Sequence, residues 1–485
     1  MAGIEDLKNE RIKKLNTLIA DEIDAYPAKS MRSHTVGEFL SIFDSLMGKE
    51  VTLSGRVMVI RGGKSLFFSD LFDGTEKVQF VLKEDEGTSV KTIKFFTDTI
   101  DTGDFVDVTG IPFITRTGQH SLLVRNVNLI SKSLLPLPDK YHGIADEELR
   151  MRERYLDLLT NQELREVFIK KAKFWDVTRS FLKERGYLEV ETPTIELTTG
   201  GAEAKPFATH HNDYDLDVFM RISVGELWQK RLMSAGFPKT FEIGRVYRNE
   251  GSSPDHVQEF TNCEFYTAYS DYEDGMVLVQ ELYRTLAQEV FGTTSFTTRG
   301  HTFDLADTWQ RIDYTEEIIK QTGIDINSAT DDDIKAKLHE LHVKYDGVNR
   351  ERLIDTLWKY CRKNITGPAF LINHPVLVAP LAKKNKDGKT VQQFQPILAG
   401  SEIGRGYSEL NDPIDQRKRF EVQQELIKGG DEEAMMADWD FVEMLEHGMP
   451  PTCGFGFGER LFAFLADKPI REVHLFPLVK PKDSK

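Results

Sequence analysis

Cysteine is scarce: Cys263, Cys361 and Cys453 are the only three in 485 residues, widely spaced and odd in number. They form neither a disulfide framework nor the close spacing of a zinc site. No run approaches the roughly 18 apolar residues that a bilayer span needs. The opening stretch MAGIEDLKNERIKKL carries charge where a signal peptide would carry an apolar core. The expectation is a cytoplasmic protein with no membrane partner. A basic excess is also missing, since 78 acidic residues outnumber 62 basic ones for a net charge of −16. That is not the footprint of a nonspecific nucleic-acid binder. A local basic surface stays possible, because screening confines fields to roughly 8–10 Å. What the chain does have is length, enough for two or three domains.

The stretch that organises the chain is 241–269, FEIGRVYRNEGSSPDHVQEFTNCEFYTAY. Two strand-like segments flank the breakers GSSPDHVQ, the pattern of a long antiparallel hairpin with an irregular tip. Alternate side chains of a strand share a face. Arg248 and Glu250 are therefore expected to point one way on the first strand. Phe260, Asn262, Glu264 and Tyr266 are expected to line one face of the second. Such a set makes a poor core. It suits either an exposed polar hairpin or a wall for phosphate, a planar base and a cation.

Residues 4–20 place Ile4, Leu7, Ile12, Leu15, Leu18 and Ile19 at roughly helical spacing, so 1–30 reads as an N-terminal helical segment. Over 31–135, and mainly 50–132, five short strands alternate with glycine turns, as in a closed barrel of the OB type. Such barrels stack single-stranded bases on aromatics beside a basic groove. Arg56, Arg61, Lys64, Phe67 and Gln79 suit that use, although one of Phe67 and Phe68 must be core. Residues 136–150 hold two prolines and a charged run and read as a linker.

The remaining 151–485 mix helices and strands. A helix is expected over about 146–185, closed by Gly186. After the hairpin comes a helix from about 272 to 291, then a charged helical insert over about 304–365 without evident chemistry. Strands follow at PAFLIN, PVLVAP and QQFQPILAGSEIGRGYSELND, then helices at about 413–428 and 431–446. The last strand, in CGFGFGERLFAFLA, has glycine at alternate positions, which implies close approach of a flat ligand or another backbone.

Three pieces in order, GYLEVETP, FEIGRVYRNEG…EFTNCEFYTAY and GFGFGERLFAFL, resemble the three signature motifs of class II aminoacyl-tRNA synthetases. A preceding OB-like barrel resembles the aspartate, asparagine and lysine subgroup. TTGGAEAKPF, GSEIGRGYSELNDPIDQRKRF and EHGMPPTCGFGFGERL are most similar to class II lysine–tRNA ligases. The resemblance covers roughly residues 50–480. It implies an α+β fold: an anticodon-binding OB domain, then a dimeric catalytic domain on an antiparallel sheet flanked by helices. It also implies activation of L-lysine with ATP and Mg2+, followed by transfer to the 3′ end of tRNA(Lys).

By that resemblance Pro193 belongs at the homodimer interface. Arg248 would meet the ATP α-phosphate and the lysine carboxylate, and adenine would lie among Glu250, Phe260 and Arg460. Arg248 and Arg460 are the catalytic candidates, and His256 would approach the outer phosphates. The lysine α-amino group would meet Glu226 and the backbone near Gly201. The ε-ammonium would meet Glu264, Tyr266 and Glu409, with Tyr407 along the stem. Glu402 would be the main metal ligand and part of the ATP site. In the barrel, Arg56, Phe67, Gln79 and Gln119 are the anticodon-reading candidates.

The residue types fit the chemistry. Attack of a carboxylate on the α-phosphorus needs alignment and charge neutralisation more than proton transfer, and arginine supplies the latter through paired donors. A buried ammonium needs compensating acids; Glu264 and Glu409 match one cation and leave a spare negative charge. Five departures stand out. Gln395 occupies a position where a metal-binding Glu is usual, and Arg405 one where Asn is usual. ISVGELW replaces the usual Pro-Glu-Leu approach to Glu226, and Glu459 and Gln119 replace the usual Asp and Glu. The alternatives are an aspartate- or asparagine-type ligase, a synthetase-derived RNA-binding protein without catalysis, and a protein-lysylating paralogue. The barrel counts against the last.

Overall fold

The computed structural model describes residues 3–138, 144–202, 204–251, 253, 256–345, 349–430 and 434–481. Contacts group them into two units, Met1–Ala145 and Asp146–Lys485.

In the first unit, α1 (Ile4–Ala20) buries Leu18 and carries Arg11, whose guanidinium donates to the carbonyls of Thr102, Ser133 and Leu135. Five strands, β1 (Val51–Gly63), β2 (Leu66–Phe72), β3 (Lys77–Lys83), β4 (Phe105–Ile114) and β5 (His120–Ser131), close into a barrel in the order β1-β2-β3-β5-β4. A helix absent from the sequence reading, Val90–Thr99, sits between β3 and β4, capped by Ser89. Its Phe96 fills the barrel and meets the rings of Phe67 and Phe80 edge-on. Within the stretch read as a linker, residues 139–143 lie outside the described residues, and Glu147–Arg152 is helical with Asp146 as its cap.

The second unit is built on a nine-stranded sheet. Eight strands run in the order 310–313, 369–372, 393–398, 405–408, 452–458, 259–268, 239–247 and 188–189, and 401–402 pairs off this path with 393–398. Pairing is antiparallel except at the two outermost pairs. Strand alternation decides what each face does. Cys263, Phe265, Phe455 and Phe457 point into one core with Phe174, Phe181, Val279 and Tyr283 from the helices Gln162–Glu184 and Tyr272–Leu286. Each fully buried aromatic there contributes about 1.5–3 kcal/mol. The intervening positions face the other way and form the site described below.

Three expectations are corrected. The helix expected over 146–185 is broken into Glu147–Arg152, Arg154–Thr160 and Gln162–Glu184. The breaks fall where fully buried Arg154 turns inward to Asp157 and to the carbonyls of Glu472 and His474, and where Asn161 caps the next helix. PVLVAP holds a single 3-10 turn, Val376–Val378, rather than a strand. The helix expected over 431–446 is Trp439–Glu446, with 431–433 outside the described residues.

Candidate active site

Strands Lys239–Tyr247 and Glu259–Ala268 pair as an antiparallel hairpin; of its expected irregular tip, residues 252, 254 and 255 lie outside the described residues. Phe260, Asn262, Glu264 and Tyr266 share the face that lines a cavity of about 400 Å³. Every residue expected at the ATP, lysine and metal sites lines this same cavity. On the neighbouring strand, Gly458, Gly456 and Gly454 stand opposite Asn262, Glu264 and Tyr266. A Cβ at Gly454 would lie 2.2 Å from Glu409 Oε1 and 2.5 Å from the Tyr266 ring. One at Gly456 would lie 3.0 Å from Glu264 Cγ. These glycines thus make room first for the pocket's own acids and tyrosine.

Arg248 and Glu250 do not lie on the first strand, which ends at Tyr247. Arg248 extends the pairing by one bond, its N–H donating to the Gln258 carbonyl at 2.8 Å. The Asn249 N–H then turns away to the carbonyl of Lys205 at 2.7 Å, drawing the chain off the ribbon. Arg248 Cζ stands 5.2 Å from the Phe260 ring centre. At the tip, Ser253 Oγ and His256 Nδ1 are 2.7 Å apart.

Three carboxylates gather near Tyr266. Gly225, at φ +66°, turns the chain into the helix Glu226–Ser234, and a Cβ there would overlap the Thr192 side chain. That turn buries Glu226 against Gly201, where it accepts hydrogen bonds from Tyr407 Oη and from Lys230 Nζ at 2.8 Å. Glu264 accepts the Val224 N–H at 2.7 Å and the Tyr266 hydroxyl at 3.0 Å. Glu409 pairs with Lys230 Nζ at 2.5 Å. Burial, with Glu226 adding repulsion, pushes the Glu264 carboxyl up to about 7. Burial outweighs the Lys230 charge and pushes Glu409 up to about 8. The sequence reading missed Lys230, because a lysine in ELWQKRL looks like a solvated helix residue. Its i,i+4 spacing from Glu226 was the available signal.

Six residues of extended strand, roughly 20 Å, separate Tyr266 from Phe260. At the Phe260 end, Arg460 opens the helix Arg460–Leu465, with its Cζ 5.8 Å from the Phe464 ring. Glu459 before it is fully buried and contacts Lys171 and His474, which hold the start of that helix. Arg405, although exposed, lines the cavity opposite Gly456.

The residues expected at a metal divide. Gln395 Oε1 lies 2.7 Å from His374 Nε2. Burial drops His374 to about 3, so its neutral ring donates and the Gln395 oxygen is taken up as an acceptor. Glu402 accepts from Trp358 Nε1 at 2.5 Å and keeps a carboxylate edge on the cavity. A single carboxylate oxygen is within the one or two that magnesium takes from a protein, the remainder coming from water or phosphate. Among the described residues no cluster of three or more His, Cys, Asp or Glu is arranged for a metal. The segment 304–365, read as inert, therefore reaches the site. Its strand Gln310–Asp313 joins the sheet, and Trp358 holds Glu402. The Tyr314 ring packs at a tilt against Trp358 and His374, with centres 4.9 and 5.3 Å away.

The barrel candidates are only partly brought together: Ser121 Oγ reaches both Gln79 Oε1 and the Gln119 carbonyl, whereas Phe67 and Arg56 lie apart from them. Phe67, paired with Leu82, is buried on the inner face with Leu71, Val78 and Phe80. Gln79 pairs with Asp70, two residues from Phe68, and so lies on the outer face with half-buried Phe68. There Ser121 Oγ donates to Gln79 Oε1 at 3.3 Å and Arg61 donates to Asp70 at 3.0 Å. The outward aromatic beside Gln79 is Phe68, not Phe67; parity requires one of the two to face inward, and the register with the next strand decides which. Arg56 pairs with Phe72 while Arg61 pairs with Phe68, so Arg56 lies roughly 15 Å along the strand. Its guanidinium sits 4.3 Å over Phe105. Gln119 is exposed in the turn between β4 and β5. In the second unit, Pro193 is exposed between β6 (Leu188–Glu189) and the exposed Ile195 and Leu197.

Comparison with known proteins gives concordant matches. The family model for class II tRNA synthetases (D, K and N) matches residues 146–480, and that for the OB-fold nucleic acid binding domain matches 51–130. A Roseiflexus sp. (strain RS-1) protein named Lysine–tRNA ligase is 42% identical over 490 residues, covering 99% of this chain and 100% of its own. One of the same name from Thermotoga maritima is 42% identical over 489 residues, covering 99% and 97%. Another, from Halalkalibacterium halodurans, is 42% identical over 495 residues, covering 99% and 98%.

Proposed function

Because the chain belongs to the class II tRNA synthetases of the D, K and N group, we propose that it activates L-lysine with ATP and esterifies the product to tRNA(Lys). The observation that carries this reading is the convergence of Glu226, Glu264 and Glu409 in a cavity that also presents Arg248 and Arg460. Three buried acids suit a diamino acid. They repel aspartate, and asparagine leaves them unpaired.

A lysine carboxylate oxygen attacks the ATP α-phosphorus, the bond to pyrophosphate breaks, and lysyl-adenylate forms. Arg248, which lines the cavity beside Phe260, is suited to hold the carboxylate and α-phosphate together and to offset their charge. Phe260 offers a face for adenine, with Arg460 on its far side and Glu250 as an acceptor for its amino group. His256 and Arg405 add donors toward phosphate and carboxylate. Glu402 would hold Mg2+ together with the nucleotide, where the ion offsets phosphate charge. A terminal ribose hydroxyl of the tRNA then attacks the adenylate carbonyl and AMP departs.

On the barrel, Phe68 with Gln79 and Arg61 offers a stacking face and donors for an anticodon base. The exposed apolar residues Leu188, Ile195 and Leu197 around Pro193 support a homodimer through that face. Among the described residues no helix is long and apolar enough to cross a membrane. Lysine-dependent ATP–pyrophosphate exchange, followed by charging of tRNA(Lys), tests the proposal.

A further inference from the structure

We infer that Lys230 is a built-in third cation of the lysine pocket, a positioning residue that leaves its three acids matched only when both ammonium groups of a diamino acid are present. The inference rests on the reading of this pocket given above. Lys230 is 1% exposed, too deep to serve as a solvated helix charge. Its Nζ donates to Glu226 Oε1 at 2.8 Å and sits 2.5 Å from Glu409 Oε2. It thereby ties the acid expected at the α-amino group to one expected at the ε-ammonium. The Tyr407 and Phe441 rings, 5.3 and 5.8 Å away, wall it in. Among the described residues Glu409 Oε2 is buried with this ion pair alone, while its Oε1 lies beside Gly454 on the cavity wall, where a second cation can reach it.

The charge count follows. Glu264 is held by neutral donors, the Val224 N–H and the Tyr266 hydroxyl. Three carboxylates less one lysine leave two negative charges, and substrate lysine brings two ammonium groups. A mono-amino acid brings one and strands a buried charge or a proton. The other groups facing the acids do not alter the tally. Arg221 is committed to Glu242 at 2.6 Å, and Arg248 and Arg405 face the end where the substrate carboxylate and phosphate are expected. Tyr266, Tyr407 and Cys453 are held neutral, burial raising each well above its ordinary value. Without substrate, burial pushes the Glu264 and Glu409 carboxyls up toward their protonated forms, against the pull of Lys230 on Glu409. Bound lysine favours the ionised forms, so its binding releases protons.

The test uses full-length enzyme, wild type and the variants Lys230→Met and Lys230→Gln, in lysine-dependent pyrophosphate exchange from pH 6 to 9. Removing the cation favours protonated acids. The acid limb of kcat/KM for lysine should move upward by about one unit, with an about tenfold loss near pH 7, while the KM for ATP changes little. If Lys230→Met fails to bind ATP, Lys230→Gln, which keeps length and a donor, decides the point. A mutation-free arm titrates wild type calorimetrically in buffers of different ionisation enthalpy. Lysine should release about one more proton per site than 6-hydroxynorleucine, which lacks the ε-ammonium. An unshifted pH limb in a folded variant, or equal proton release by the two ligands, overturns the inference. Glu264→Gln separates the levels. Unchanged lysine use in that variant removes the pocket reading itself, whereas loss there with unshifted Lys230 variants removes only the role of Lys230.

Discussion

Phe67 and Phe68 are adjacent in sequence yet lie on opposite faces of one barrel strand, the first packed on Phe96 and the second beside Gln79. Their substitutions should separate cleanly. Phe68→Ala should raise the KM for tRNA(Lys) in charging and leave pyrophosphate exchange intact. Phe67→Ala should instead lower the thermal midpoint, through a loss of about 3–5 kcal/mol of barrel stability. Loss of exchange in Phe68→Ala would tie that ring to folding rather than to RNA.

A pH dependence follows from Glu264 and Glu409, pushed up by burial to about 7 and about 8 from an ordinary 4.5. As pH rises above about 4.5 the unfolded chain gives up protons that the fold retains. The stability these groups add below that pH is therefore lost until pH passes their folded values. Ammonium groups of bound lysine favour the ionised acids and reverse the penalty. The lysine-induced rise in thermal midpoint should grow between pH 6 and 8.5, as read by calorimetry. A shift that shrinks with pH contradicts protonated acids in the free pocket.

Metal dependence should follow Glu402 rather than Gln395, whose oxygen is held by His374. Glu402→Gln should raise the magnesium concentration needed for half-maximal exchange several-fold. Gln395→Ala should alter it little, although it strands the buried His374 and lowers the thermal midpoint. Equal magnesium shifts in the two variants would return Gln395 to the metal.

Gly454→Ala places a methyl 2.2 Å from Glu409 Oε1. Displacing that carboxylate by about an ångström should cost on the order of 100-fold in kcat/KM for lysine. ATP binding, proposed to centre on Phe260 roughly 20 Å along the strand, should be far less affected. Steady-state kinetics with each substrate varied checks both halves.

Much of this was legible in the chain because it depends on local pattern. The helix Ile4–Ala20, the barrel strands and the alternation of Phe260, Asn262, Glu264 and Tyr266 all follow from spacing. What was hidden depends on tertiary partners. Lys230 becomes a buried counter-ion only once Glu409 arrives from a distant strand. Trp358 turns a charged segment into part of the site only because the sheet brings Glu402 beneath it. Arg248 leaves the strand because Lys205 captures the next N–H. Phe67 and Phe68 needed a register that paired Gln79 with Asp70, which composition does not supply.

The central claim is that Glu226, Glu264 and Glu409 select lysine for adenylation. Pyrophosphate exchange with lysine, aspartate and asparagine, in wild type and Glu264→Gln, addresses it most directly. Exchange is expected with lysine alone. In the variant kcat/KM for lysine should fall by roughly 30- to 150-fold, since weakening a buried contact to a charged group costs about 2–3 kcal/mol. Exchange driven by aspartate or asparagine, or undiminished lysine exchange in Glu264→Gln, would contradict it.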